Sequence, residues 1–313
     1  MKAMRDVWGE KLVELGQSDP RTVVLDGDLA NSTKVDKFAK AHPERFFQMG
    51  IAEQNLIGAA AGLASVGYVP WTSSFTVFFT HRAIDPVRML VAQSHANVKI
   101  VGSYSGLLIG AVGKTHLDVQ DLAIMRAMPD MTVLAPADGP ELLAMMDWAQ
   151  TYEGPVYLRI VRDAVPDLFG PDHTFTPGAV HRLRDGSDVA LVSTGPQTGR
   201  VLAAADQLAA KRIEARVVHV GCLKPLDEDA LRAELAGYDL VVTAEEHSVL
   251  GGLGGLVAEV LTATGPAPRI ERIGVRDTWG ESAGNDFMLT KHGLSAELVS
   301  RRVAGVLGSR VPA

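Results

Sequence analysis

Cysteine is almost missing: Cys222 stands alone among 313 residues, which excludes an internal disulfide framework and a cysteine-ligated metal cluster. No apolar run reaches the ~18 residues that would span a bilayer. Positive charge is in deficit, with a formal net charge of −7, and no basic patch interleaves with aromatics. Nucleic acid is therefore not an expected partner, and neither is a membrane. Low-complexity blocks are absent. The opening stretch MKAMRDVWGEKL lacks the apolar core of a secretory signal, so cytoplasm is the expected compartment. What remains is 47% hydrophobic and 21% charged, the balance of a folded chain with a large core. Its length suits about two domains at roughly 100–200 residues each.

Short apolar runs alternate with stretches of helical period. TVVLD (22–26), NVKIVGSY (97–104), MTVLAP (131–136) and PVYLRIV (155–161) read as buried strands. EQNLIGAAAGLASVG (53–67), AIDPVRMLVAQS (83–94) and DGPELLAMMDWAQTY (138–152) read as helices. That alternation predicts a parallel sheet covered on both faces. Residues 163–187 break the pattern with Pro166, Pro171 and Pro177 and read as an inter-domain linker. Alternation resumes with strands at 188–194, 215–220, 239–246 and 269–275, and helices at 197–212, near 227–236, from 251 and at 295–307. The expectation is α/β throughout: a first domain over 1–165, a linker over 166–187 and a smaller α/β domain over 188–313.

Three stretches carry candidate chemistry. In MGIAEQNLIGAAAGLA (49–64), Glu53 sits at a strand-to-helix junction behind Gly50, where the helix dipole alone would favour a carboxylate. In TSSFTVFFTHRAIDPVR (72–88), Phe75 and Phe78 form either an aromatic wall or plain core. In GLLIGAVGKTHLDVQDLAIMR (106–126), three glycines deliver His116 just before a helix. A lone histidine is usually structural. One behind a glycine-rich loop, at the carboxyl edge of a parallel sheet, is a better catalytic candidate.

Taken in order, these stretches resemble the pyrimidine-binding domain of the transketolase family. TAEEHSVLGGLG (243–254) and GVRDTWGESAGNDFMLTKHGLSAE (274–297) resemble the C-terminal domain of transketolases and 1-deoxyxylulose-phosphate synthases. The resemblance covers nearly the whole chain. It implies thiamine diphosphate as cofactor, with Glu53 hydrogen-bonding the pyrimidine ring and activating it, and Phe75 and Phe78 stacking against it. Ile51 and Leu29 match apolar cofactor contacts, and Asp28 an aspartate on the thiazolium side. His116 matches a histidine that handles substrate oxygens. Arg5, Ser32 and Arg162 match positions that bind a sugar phosphate, which an arginine fork suits geometrically. The plain alternative for both arginines is solvated charge.

Two departures bear on substrate. Val112 replaces a family aspartate that contacts a substrate hydroxyl, and an unpaired buried hydroxyl costs about 1–3 kcal/mol. Tyr104 stands where a second phosphate-contacting histidine often sits. Both changes point away from ordinary pentose phosphates and toward a branched or modified ketose. The Gly-Asp-Gly segment that, with a downstream asparagine, holds diphosphate and Mg2+ in the family is missing; the nearest match is Leu25-Asp26-Gly27-Asp28. GGLGG (251–255) lacks the lysine of a phosphate loop and reads as close packing at a helix start. The resemblance thus implies half of an active site. A separate N-terminal subunit would supply diphosphate and metal in an α2β2 assembly, and no metal ligand is assigned to this chain. The activity implied is transfer of a two-carbon ketol unit from a ketose phosphate to an aldose-type acceptor. Two rivals stay open: the β subunit of a 2-oxoacid dehydrogenase, and a non-catalytic binding protein on the same fold.

Overall fold

Valine- and leucine-rich runs bounded by glycine, proline and aspartate build two sheets in a computed structural model that describes residues 2–308. The strands are β1 (Thr22–Asp26), β2 (Phe46–Gln48), β3 (Val69–Phe75), β4 (Lys99–Ser103), β5 (Thr132–Leu134) and β6 (Val156–Arg159). The second half adds β7 (His181–Arg184), β8 (Val189–Ser193), β9 (Ala215–His219), β10 (Cys222–Lys224), β11 (Leu240–Ser248) and β12 (Arg269–Val275). The first sheet has the order β10-β5-β6-β4-β3-β1-β2 and the second β12-β11-β8-β9-β7. All pairings are parallel except β10 with β5 and β7 with β9. β1, β3, β4, β5, β6 and β8 are buried along their whole length, as strands covered by helices on both faces must be.

The architecture is the two-domain α/β arrangement expected, with three differences of detail. β2 and β3 carry no run long or apolar enough to stand out: β2 is only FFQ, and three of the seven residues of β3, VPWTSSF, are polar. Those hydroxyls are buried and bonded: Ser73 Oγ to Thr33 Oγ1 (2.9 Å) and Thr72 Oγ1 to the Lys99 carbonyl (3.3 Å). β7 lies inside the stretch expected to be a linker and closes the second sheet as an antiparallel edge. β10 comes from the second half of the chain yet closes the first sheet. The halves are therefore interlocked. One apolar cluster runs from Val23, Leu56 and Phe79 through Met125, Met128 and Val133 to Leu253, Val257 and Val260. A bidentate Arg126–Glu259 pair (2.7 and 2.8 Å) crosses the same seam.

Candidate active site

The carboxyl ends of parallel strands are where side chains can leave a sheet and face solvent. Here the ends of β1, β2, β3, β4 and β6 lead into Asp28 and Ser32, Ile51 and Glu53, Phe78, Tyr104, and Arg162 respectively. Arg5, in the first turn of the helix Met4–Ser18, reaches the same edge because that helix start is tied to the chain after β6: Met4 N–H donates to the Asp163 carbonyl.

Glu53 opens the helix Glu53–Ser65 and is 1% exposed. Its Oε1 accepts from Ser74 Oγ (3.2 Å) and its Oε2 from Arg82 Nη1 (2.6 Å). The Arg82 guanidinium also lies 4.4 Å from the centre of the Phe78 ring, so one cation touches both the carboxylate and the aromatic wall. A Cβ on Gly27 would come within 3.1 Å of Ser74 Oγ and 3.4 Å of Glu53 Oε1, so the bare backbone there makes room beside the carboxylate. Gln48 stitches the two loops at this edge: its Oε1 accepts from the N–H groups of Asp28 (2.9 Å) and Gly50 (3.1 Å), while its Nε2 donates to Asp26 (3.0 Å). Burial raises the Asp26 carboxyl above its ordinary range, partly countered by the Gln48 and Leu29 N–H donors.

Phe75 is flanked by Tyr104 (ring centres 4.2 Å apart, stacked) and Phe78 (6.0 Å, stacked), and the His116 ring stands edge-on to Phe75 and Phe78 at 6.0 and 5.5 Å. Thr115 Oγ1 occupies His116 Nδ1 (2.9 Å), which leaves Nε2 as the nitrogen available to a ligand. Tyr104 has φ of +58°, a left-handed conformation that a bulky side chain adopts only where the surroundings impose it. Its hydroxyl accepts from Arg5 Nη1 (2.6 Å) and donates to the Ser32 carbonyl (3.2 Å). Arg162 lies on the ring at 5.8 Å and Arg5 at 5.9 Å. Two guanidiniums therefore lie near the Tyr104 ring, and Arg5 Nη1 also donates to the Ser32 carbonyl (3.3 Å): a cluster suited to an anion. Ile51 and Val112 are the outliers, 71% and 48% exposed. Leu29 is half-buried and packs with the Phe75–Tyr104 cluster.

The glycine loop needs its glycines: Gly106, Gly110 and Gly113 all have φ between +75° and +79°. It is held by the second domain. Glu246 accepts from Leu107 N–H (2.9 Å) and Leu108 N–H (3.2 Å). Asn285 accepts from Gly110 N–H (3.1 Å) and donates to Asp163 (2.7 Å), and Ser282 donates to the Ala111 carbonyl. Beyond the loop, buried Asp118 accepts from Thr80 and from Gln120 N–H, and burial together with Asp121 raises its carboxyl above the usual range. Sequence reasoning did not single out Arg82, Gln48, Glu246 or Asn285 as site residues. Arg82 carried a usable signal, a cation seven residues after Phe75 within an otherwise apolar, hydroxyl-rich stretch. The other three act through contacts between segments distant in the chain.

A family profile described as "Transketolase, pyrimidine binding domain" matches residues 1–167, and one described as "Transketolase, C-terminal domain" matches residues 178–299. The chain belongs to the transketolase family. It is 41% identical over 304 residues to a putative transketolase C-terminal section of Methanocaldococcus jannaschii, covering 96% of this chain and 95% of that one. It is 40% identical over 298 residues to a 6-deoxy-6-sulfo-D-fructose transketolase subunit of Clostridium sp. MSTE9, covering 95% and 92%. A solved structure titled "Split gene transketolase, inactive beta4 tetramer" superposes with a TM-score of 0.90 at 46% identity, covering 98% of this chain and 99% of that one. Membership implies dependence on thiamine diphosphate.

Proposed function

We propose that this chain is the pyrimidine-holding subunit of a split transketolase that moves a two-carbon ketol unit from a ketose phosphate to an aldose-type acceptor. The observation that carries the reading is the buried Glu53 carboxylate beside the Phe75–Phe78 rings, within one cluster of residues that also presents Arg5 and Arg162. The residues suit the cofactor's aminopyrimidine: a charged acceptor in a dry recess, flat aromatic faces, and a bare glycine next to the acceptor. Thiamine diphosphate, when bound, supplies the carbon nucleophile that carries the ketol unit. Glu53 would hold a ring-nitrogen proton at its carboxylate, with Ser74 and Arg82 keeping that carboxylate aimed. Phe75 and Phe78 would pack on the ring, with Leu29, Ile51 and Asp28 as further cofactor contacts. His116, through Nε2, would hold and return a proton on a substrate oxygen. Arg5, Arg162 and the Ser32 hydroxyl would bind the phosphate, with Tyr104 as the spacer between the two guanidiniums.

A separate N-terminal subunit would bring the diphosphate and Mg2+ contacts. The exposed apolar residues Ile51, Val66, Met89 and Leu90, on and beside the Glu53 helix, support a covered face there. The relatives named as sections and subunits support the same division. They also favour transketolase over a 2-oxoacid dehydrogenase. Val112 leaves the substrate's neighbouring hydroxyl without an acceptor, and a relative named for a sulfo-sugar supports an unusual ketose. The test is reconstitution of the chain with a separately expressed partner, thiamine diphosphate and Mg2+, assayed against a panel of ketose phosphates and modified ketoses. Ketol transfer by the pair and not by either chain alone is expected. Cofactor binding without transfer across the panel would overturn the enzymatic reading. In the active pair, Val112→Asp should shift preference toward ordinary 2-hydroxyaldehyde acceptors by about tenfold, the equivalent of one hydrogen bond near 1–1.5 kcal/mol; an unchanged panel would remove Val112 from the specificity argument.

A further inference from the structure

Three of the nine histidines gather at a second place, with a buried glutamate. Glu141 lies in the first turn of the helix Gly139–Thr151, His173 in the stretch before β7, His181 at the start of β7 and His219 at the end of β9. One ligand-capable atom from each of Glu141, His173 and His181 lies within 4.8 Å of the other two. The His173 and His181 rings meet edge-on at 5.4 Å, and Phe169 covers His173 at 4.2 Å. His173 Nε2 is buried and has no hydrogen-bond partner, and an imidazole nitrogen shut away from water normally finds one.

The carboxylate is held in a fixed orientation. Glu141 is 1% exposed, its Oε2 accepts from Ala137 N–H (2.6 Å), and His219 Nε2 lies 3.1 and 3.0 Å from its two oxygens. His219 is fully buried and its other nitrogen is bonded to Thr198 Oγ1 (2.8 Å). Gly221 clears the space: a Cβ there would sit 2.3 Å from Glu141 Oε1 and 2.8 Å from His219 Nε2. An imidazole bonded to a carboxylate on one side and fixed by a hydroxyl on the other is the kind of outer support that ligating carboxylates receive in metal sites.

We propose that Glu141, His173 and His181 bind one divalent transition-metal ion of the zinc class, with His219 and Thr198 orienting the carboxylate from behind. Two imidazoles and one carboxylate select zinc or a neighbouring transition metal over Mg2+ or Ca2+, which prefer oxygen alone. Bonds of about 2.0–2.1 Å place tetrahedral ligands roughly 3.3–3.4 Å apart, so the three ligand atoms close by up to about 1.5 Å on binding. Water fills the fourth position. The ion ties the stretch leading into β7 to the first domain's helix. The site is separate from the Glu53 edge and holds whether or not the catalytic reading does.

The test uses the tag-free, full-length chain, stripped with chelator and titrated with Zn2+ by calorimetry. One equivalent per chain is expected, with a rise in melting temperature, and Co2+ in its place should show visible ligand-field absorption. His173→Ala and His181→Ala should each weaken binding by at least about 10–100-fold, while His95→Ala, remote from the cluster, leaves it unchanged. Because Co2+ absorption is read on the unaltered chain, the proposal stays testable if a variant folds poorly. No stoichiometric uptake of Zn2+ or Co2+ by the unaltered chain, or undiminished affinity in folded His173→Ala and His181→Ala, would overturn it.

Discussion

The two sheets share an architecture and use their carboxyl edges in opposite ways. At the first edge, Arg5, His116 and Arg162 are partly exposed beside the Phe75, Phe78 and Tyr104 rings, and Glu53 is buried. At the second edge, the polar groups are consumed within the protein. Glu245 accepts from Leu253 N–H (2.7 Å) and Gly254 N–H (2.8 Å) at the start of the helix Leu253–Thr262. A Cβ on Gly252 would lie 2.1 Å from that carboxylate, which is why the glycine run stands there: it admits a carboxylate of this chain to the helix start. Glu246 takes two N–H groups of the glycine loop and pairs with Arg200. Ser193 and Thr194 donate to the Ala244 and Val220 carbonyls. The same topology thus yields one edge that we propose is catalytic and one that braces it. The difference lies in which side chains stand at each edge, not in the fold.

That contrast can be broken in order of size. Glu53→Ala in the reconstituted pair should lower kcat by about 10³–10⁴-fold, roughly 4–5.5 kcal/mol of barrier, with the melting curve of the chain nearly unchanged. Turnover close to the parent would mean the first edge is not catalytic. Glu246→Ala should do the reverse and act first on stability: it strands Arg200 and two loop N–H groups. A loss of about 3–5 kcal/mol is expected from the urea midpoint measured by circular dichroism. A stable Glu246→Ala chain would show that the bracing edge is dispensable. Arg162→Ala should raise KM for phosphorylated substrates about 10–100-fold, matching about 1.5–3 kcal/mol for a charge-assisted hydrogen bond, and leave unphosphorylated substrates unaffected. An equal effect on both would assign Arg162 to solvated surface instead. The smallest effect belongs to the seam between the halves: Arg126→Ala removes a pair whose glutamate is 61% exposed, for about 0.2–1 kcal/mol measured by chemical denaturation.

Much of this molecule was legible before its structure, and the illegible parts have a common character. β12 and the helices from 53, 139, 197 and 253 announce themselves by period and by the glycine or aspartate at their ends. The glycine loop before His116 is visible as spacing, and its left-handed backbone angles are the reason for it. By contrast β3 hides among hydroxyls, and β7 hides among prolines.

The amino-acid order alone determined the repeating α/β pattern, the position of Glu53 at a helix start and the delivery of His116 behind glycines, because each depends on a period or a local dihedral preference. Only the tertiary structure decided that β10 crosses to the first sheet, that Arg82 reaches Glu53, that Glu246 and Asn285 pin the loop, and that Glu141 meets His173, His181 and His219. Those contacts join residues tens to hundreds of positions apart. Their partners are chosen by how the packed sheets place backbone and side chains in space, and neighbours in sequence carry no record of that choice.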